Sequence, residues 1–223
     1  MFIDSKYSKL LTILLVIVII GIVGLLAFFG YQVFTGYFSD KDKDEFMADY
    51  RNTLGIQADD NNNNITGDFN LITNIAQVGS GDGTTSNTVK KYKGFAVLGT
   101  IEIPKTGVDL PILDARTTKA LNTSCILQYG PGPNEVGNTV IAGHNYRNGK
   151  FFSDNYKIEN GDTIYVTDNS GKRLKYVVYN KYQTTPEDAD YMDRDTAGKP
   201  EISLTTCTDD SKARIIIWAK LAK

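Results

Sequence analysis

The chain of 223 residues has little of the chemistry that usually announces a function: two cysteines, one histidine, one tryptophan. Two cysteines, Cys125 and Cys207, are a weak disulfide framework, so both are expected as free thiols. Neither terminus carries a basic block, and the net charge is −2. That balance gives no reason to expect a nucleic-acid partner. Carboxylates cluster at residues 187–195, but no loop has the twelve-residue ligand pattern of a calcium hand. That region is expected to be a solvated loop face, and no metal site is assigned.

One long apolar run is present, at residues 10–29, where Thr12 is the only polar side chain. At 1.5 Å per residue, twenty residues cover about 30 Å, the thickness of a bilayer's hydrocarbon core. A secretory signal has a shorter apolar region, about 7–15 residues, and no small-x-small cleavage site follows directly. Residues 10–30 are therefore expected to be an uncleaved transmembrane helix behind a cytoplasmic tail, residues 1–9. Lys6 and Lys9 lie close before the run, while Lys41 and Lys43 lie further beyond it, favouring a cytoplasmic N-terminus.

Residues 31–90 are assigned to a juxtamembrane helix and a flexible linker. Phe46, Tyr50 and Leu54 recur every four residues, the spacing of a short amphipathic helix near the membrane. Asparagines at 61–64 and glycines at 79, 81 and 83 mark residues 57–88 as linker.

Residues 91–223 form the predicted catalytic domain. Short β-leaning runs are expected at 95–103, 108–113, 124–129, 138–142, 162–167 and 174–182, before a final hairpin. Pro111 argues for an edge strand at 108–113. Helical turns are expected at 117–121 and 151–156, and helical tendency at 186–192. Many short strands with regular turn signals indicate an all-β barrel or sandwich, and about 130 residues suffice for one core.

The final hairpin carries the chemistry. If Cys207 opposes Arg214, Thr208 faces Ala213, Asp209 faces Lys212, and Asp210-Ser211 is a two-residue loop. Opposed residues share a face with Cβ atoms about 5 Å apart, so a guanidinium stands beside a thiol. Alone, this pair reads better as a buried core cysteine and a solvated arginine. His144 changes the balance, because it follows a β-branched strand and a glycine, where a strand ends and a loop begins. A cysteine nucleophile, a histidine proton carrier and an arginine stabiliser make a thiol acyl-transferase. Cys125 lies in an apolar run and is expected in the core. Tyr129, Tyr146, Tyr182, Tyr191 and Trp218 are candidates for a groove lining, although strand aromatics more often serve packing.

The segment Ser203-Leu204-Thr205-Thr206-Cys207, the following Arg214 and the upstream His144 together resemble the sortase signature, Thr-Leu-x-Thr-Cys with an arginine on the next strand. Ser203 stands where the signature has its first threonine. The resemblance extends from Phe95 to the C-terminus and implies a mainly β fold, a closed eight-stranded sortase-type barrel with short helices behind one transmembrane helix. It implies a membrane-anchored cysteine transpeptidase that cleaves a signal similar to Leu-Pro-x-Thr-Gly through a Cys207 thioester. His144, Cys207 and Arg214 are the implied catalytic residues, with Thr206 and Asn145 as candidate substrate contacts. The implied partners are surface proteins bearing the signal, a peptidoglycan precursor or pilin amine as acceptor, and membrane lipid. The implied location is the plasma membrane, with the catalytic domain extracellular. No cofactor is implied, and calcium activation stays open.

The seven-residue step from Cys207 to Arg214 and the sequence Gly143-His144-Asn145 lean toward class B, whereas the short connection at 184–203 does not. The class is left open. A cysteine hydrolase with water as acceptor, or a non-enzymatic membrane-tethered β-module, are the alternatives. An L,D-transpeptidase is disfavoured by the missing His-Gly-Cys cluster.

Overall fold

A β-branched run can close its backbone hydrogen bonds only within a helix or across a ladder, and this chain uses both. The structure is a computed structural model that describes residues 5–56 and 89–222. It divides into two compact units, Met1–Ala48 and Asp49–Lys223. The linker expected at 57–88 lies outside the described residues.

Helix α1 spans Ser5–Thr53. Within it Leu10–Tyr31 is long and apolar enough to cross a membrane, and none of that stretch is buried inside the protein. An apolar surface of that length in water would be costly, and a helix satisfies its own backbone in lipid. It fits a single-pass membrane anchor.

The segment expected to form a separate amphipathic helix is the end of α1. The helix stops where Gly55 takes a left-handed conformation (φ 71°) and the Ile56 N–H returns to the Arg51 carbonyl at 2.9 Å, a glycine stop. In the second unit, Tyr50 donates its hydroxyl to Asn169, and Arg51 donates to both Asp109 carboxylate oxygens at 2.7 Å. Tyr50 is thus spent on a contact within the second unit, not on a membrane-facing stripe.

The strands are β1 (Lys91–Tyr92), β2 (Phe95–Ile103), β3 (Val108–Leu113), β4 (Cys125–Tyr129), β5 (Gly137–Ala142), β6 (Thr163–Asp168), β7 (Arg173–Thr184), β8 (Pro200–Cys207) and β9 (Arg214–Leu221). Their order is β1-β2-β3-β4-β5-β8-β9-β7-β6, and β6 pairs back onto β2. The eight strands β2 to β9 therefore close a barrel, with β1 appended. Gly99 makes the closure possible. A Cβ there would lie 2.3 Å from the Thr167 carbonyl oxygen, and the β2–β3 register shifts at this point.

Strand β3 is not an edge. It pairs with β2 through Pro111, but its parallel ladder to β4 involves only Ile112 and Leu113. The β4 ladder begins just past the proline, which has no N–H to offer it. The helical turn expected at 117–121 is α2 (Thr118–Leu121), capped by the Thr117 hydroxyl. The turn expected at 151–156 is a 3-10 turn at Asn155–Lys157. No helix forms at 186–192, where the chain runs through turns.

Alternation along the strands sorts the side chains. Ile101, Ile141, Ile164, Ile202, Leu204 and Ile217 fill the barrel interior with negligible exposure. Cys125 lies in the same core. Val140, Tyr191 and Ile216 form a second cluster, joined by Tyr182, Met192 and Trp218. It lies on the outer face and holds the β7–β8 connection, residues 185–199, against the strands.

Arg194 locks that connection. Its guanidinium sits over the Trp218 ring (4.4 Å) and donates to Glu201 Oε2 (2.8 Å), Tyr179 Oη (2.7 Å) and Asn138 Oδ1 (3.0 Å). The Asn138 amide returns two bonds to the carbonyls of Tyr191 and Met192. Ser203 Oγ donates to Asn138 Oδ1 at 2.8 Å and accepts from Arg194 at 3.3 Å. The connection read as a solvated acidic face thus contains an arginine anchored in the outer layer.

Candidate active site

The β8–β9 ladder has the expected register: Cys207 opposes Arg214, Thr205 opposes Ile216 and Ser203 opposes Trp218. Ile202 and Leu204 face the interior, so Ser203, Thr205 and Cys207 face outward by the two-residue period of a strand. Arg214 Nη1 donates to Cys207 Sγ at 3.0 Å. Both residues are part-exposed.

The turn differs from the two-residue loop expected. Thr208 N–H does bond to the Ala213 carbonyl, but Ser211 N–H returns to the Thr208 carbonyl at 2.9 Å. Asp209-Asp210 is therefore the centre of the turn, and Ser211 follows in the left-handed region at φ 62°. A two-residue type I′ loop needs positive φ at both central residues, and Asp210-Ser211 supplies it only at the second. Asp210 stiffens the turn by accepting from Thr208 Oγ1 (2.6 Å) and Lys212 N–H (3.1 Å), which hold its carboxyl below the usual carboxylate range.

His144 enters from the parallel neighbour β5. Gly143 N–H donates to the Thr205 carbonyl at 3.2 Å, just past the end of β5, before the chain turns away. Gly143 has no room for a side chain, since a Cβ would fall 2.6 Å from the Phe152 ring. Asn145 then donates its side-chain amide to the Cys207 carbonyl at 3.0 Å. His144 is thereby bracketed between a residue bonded to Thr205 and one bonded to Cys207.

The imidazole is not hydrogen-bonded to the sulfur. Its Nε2 lies 2.8 Å from Asn122 Oδ1, which can only accept, so Nε2 carries the proton. The Tyr146 ring packs against it with centroids 4.9 Å apart, and Tyr146 Oη also donates to Asn122. Partial burial pulls the imidazole pKa below its ordinary value. Asn122 escaped the sequence reading. It sits at the end of α2, and its only signal was a polar Asn-Thr-Ser triplet after a helical turn.

Two sequence candidates are placed differently from the other three. Thr206 lies on the interior side of β8, 3% exposed, with its hydroxyl unpartnered. Alternation turns it away from the outward face that carries Cys207. Asn145 spends both amide protons within the protein, on the Cys207 carbonyl and on Asp209 Oδ1 at 2.8 Å. Among the groove candidates, Tyr191 is buried, Tyr182 and Trp218 are packed edge to face, and Tyr129 and Tyr146 are exposed. Among the described residues no group of three or more His, Cys, Asp or Glu side chains could hold a metal ion.

The family model described as the sortase domain matches residues 101–222. The chain belongs to the sortase family. Its sortase domain is 33% identical over 124 residues to sortase A of Bacillus anthracis, covering 54% of this chain and 58% of that protein. Sortase A from Corynebacterium diphtheriae superposes with a TM-score of 0.52 at 28% identity, over 58% of this chain and 62% of that one. A sortase D5 transpeptidase of Clostridium perfringens gives a TM-score of 0.52 at 30% identity, over 57% and 80%. The chain thus spans under two thirds of the length of the first two sortases. The closed barrel behind an apolar N-terminal helix is the fold expected of a sortase.

Proposed function

We propose that this sortase is a membrane-anchored cysteine transpeptidase, with Cys207 as nucleophile, His144 as proton carrier and Arg214 as stabiliser of the developing charge. The observation that carries the reading is the 3.0 Å contact from Arg214 to the Cys207 sulfur, with Asn145, the residue after His144, bonded to the Cys207 carbonyl. A thiolate is the effective nucleophile. Cys207 thiolate attacks the threonine carbonyl carbon of a sorting signal, forming a C–S bond and a tetrahedral oxyanion. Arg214 donates to that oxygen as its charge develops.

The His144 pKa is lowered by burial, so near neutral pH the resting imidazole is mostly uncharged. It takes the thiol proton, becomes imidazolium, and returns the proton to the leaving amine as the C–N bond breaks. With the proton on Nε2 and bonded to Asn122, Nδ1 is the nitrogen with a free lone pair, so Nδ1 receives the thiol proton while Asn122 holds the ring's tautomer. An incoming amine then attacks the thioester, gives a proton to His144, and releases Cys207.

The signal is similar to Leu-Pro-x-Thr-Gly, and the acceptor is a peptidoglycan precursor or pilin amine. Residues 10–31 anchor the enzyme with its N-terminus in the cytoplasm and its barrel outside. Incubation with a sorting-signal peptide library and an amine acceptor, read by mass spectrometry, tests the reading. Expected products are the amine-joined peptide and a thioester on Cys207. Free acid alone would indicate a hydrolase, and no adduct would overturn the reading.

A further inference from the structure

In a parallel ladder the bonds recur every second residue. Gly143 N–H donates to the Thr205 carbonyl, so the next rung in that direction would run from Asn145 N–H to the Cys207 carbonyl. The structure makes this rung with the Asn145 side chain instead, at 3.0 Å. The backbone is thereby released from β8 and folds back on its own loop. Asn145 bridges to Phe151, and Phe152 N–H bonds to the His144 carbonyl at 3.0 Å.

The same side chain is held from three directions. Its second amide proton goes to Asp209 Oδ1 at 2.8 Å, and its Oδ1 accepts from Arg147 N–H at 3.0 Å. Arg147 adds a second link from this loop to the hairpin turn, donating to Ser211 Oγ at 2.9 Å. An amide with both protons committed inside the protein has no donor left for a ligand.

We infer that Asn145 is a positioning residue, a side-chain substitute for a strand rung that lets the backbone leave the sheet while keeping His144 beside Cys207. The inference builds on the proposed roles of His144 and Cys207, but its test does not need a substrate. Without the rung, the backbone at His144 would lose its direct tie to Cys207, leaving the Gly143 and Phe152 bonds, the ring's contacts with Asn122 and Tyr146, and the Arg147 link to the turn. The loop would loosen and its imidazole would meet more water.

His144 is the only histidine, so its imidazole gives one NMR titration. Burial is what lowers its midpoint. In Asn145→Ala, the midpoint in the free protein should rise toward the ordinary value of about 6.5. If that variant does not fold by circular dichroism, Asn145→Leu decides, being of similar shape, uncharged and without the donors. With a cleavable peptide, kcat should fall about tenfold or more while KM changes little, the pattern of misplaced catalytic geometry. An unmoved midpoint in the folded variant overturns the inference whatever the activity does. An unmoved midpoint with a raised KM would make Asn145 a substrate contact. If the wild-type chain cleaves no peptide, the transpeptidase reading fails, and the titration still decides the role of Asn145.

Discussion

The Arg214 guanidinium donates to the Cys207 sulfur at 3.0 Å across one rung of the β8–β9 hairpin, seven residues apart in sequence. The cation reaches the thiol by strand register alone, while the imidazole is turned aside to Asn122. Arg214 touches the sulfur and the imidazole does not, so the two residues should respond differently to substitution.

Arg214→Lys is expected to damage the chemical step. Lysine keeps a charge but loses the planar fork that can meet sulfur and carbonyl oxygen together. Loss of one oxyanion donor costs about 10²–10³ in rate, roughly 3–4 kcal/mol. Single-turnover acylation should show that loss in both Arg214→Lys and Arg214→Ala, with peptide affinity less affected. Near-wild-type acylation in both would remove Arg214 from the catalytic set.

The two cysteines should separate by reactivity. Cys125 is fully buried and desolvation pushes its thiol up to about 12. Iodoacetamide on the folded protein should mark Cys207 and spare Cys125. Cys207→Ala should abolish covalent capture of peptide, and Cys125→Ala should retain it. A thioester on Cys125 would reverse the assignment.

His144 predicts the sign of a pH effect on stability. Its folded pKa lies below the unfolded value because burial disfavours the charged ring. The unfolded chain therefore binds the proton more readily, and stability falls as pH drops from about 6.5 through the folded pKa. Denaturation midpoints across that window, compared between wild type and His144→Gln, should show a histidine-dependent slope that the variant lacks. Identical slopes would contradict the burial argument.

Arg194 should matter to stability as much as to any ligand. Its side chain and that of Glu201 are 10% and 14% exposed and lie 2.8 Å apart. Removing one partner of such a buried pair typically costs about 3–5 kcal/mol, because the other charge stays behind. Arg194→Ala should lower the denaturation midpoint by that order and free residues 185–199 to hydrogen exchange. A double-mutant cycle with Glu201→Gln should give a coupling well above the roughly 1 kcal/mol of an exposed pair. A loss within 0.5 kcal/mol would mean the connection is held by its apolar cluster alone.

The strands, the anchor-length helix and the pairing of Cys207 with Arg214 were legible in the order of residues. Those signals are local: an apolar run, a period of two, and a short hairpin that leaves few ways to oppose Cys207. That order also marked the cysteine in an apolar run as core. The surroundings of the site arise from the folding of the barrel. Asn122 meets His144 from 22 residues away, Arg194 meets Asn138 across 56, and Asn145 meets Cys207 across 62. Each contact joins a loop or helix end to a residue distant in sequence, and polar residues in loops have no periodicity that would foretell their partner. The barrel's closure brings them together because β5 lies beside β8, a parallel pairing that no short turn can encode. The turn at Asp209-Asp210 was missed for a different reason. Several turn types suit the same polar residues, and the choice among them depends on which single residue accepts a positive φ.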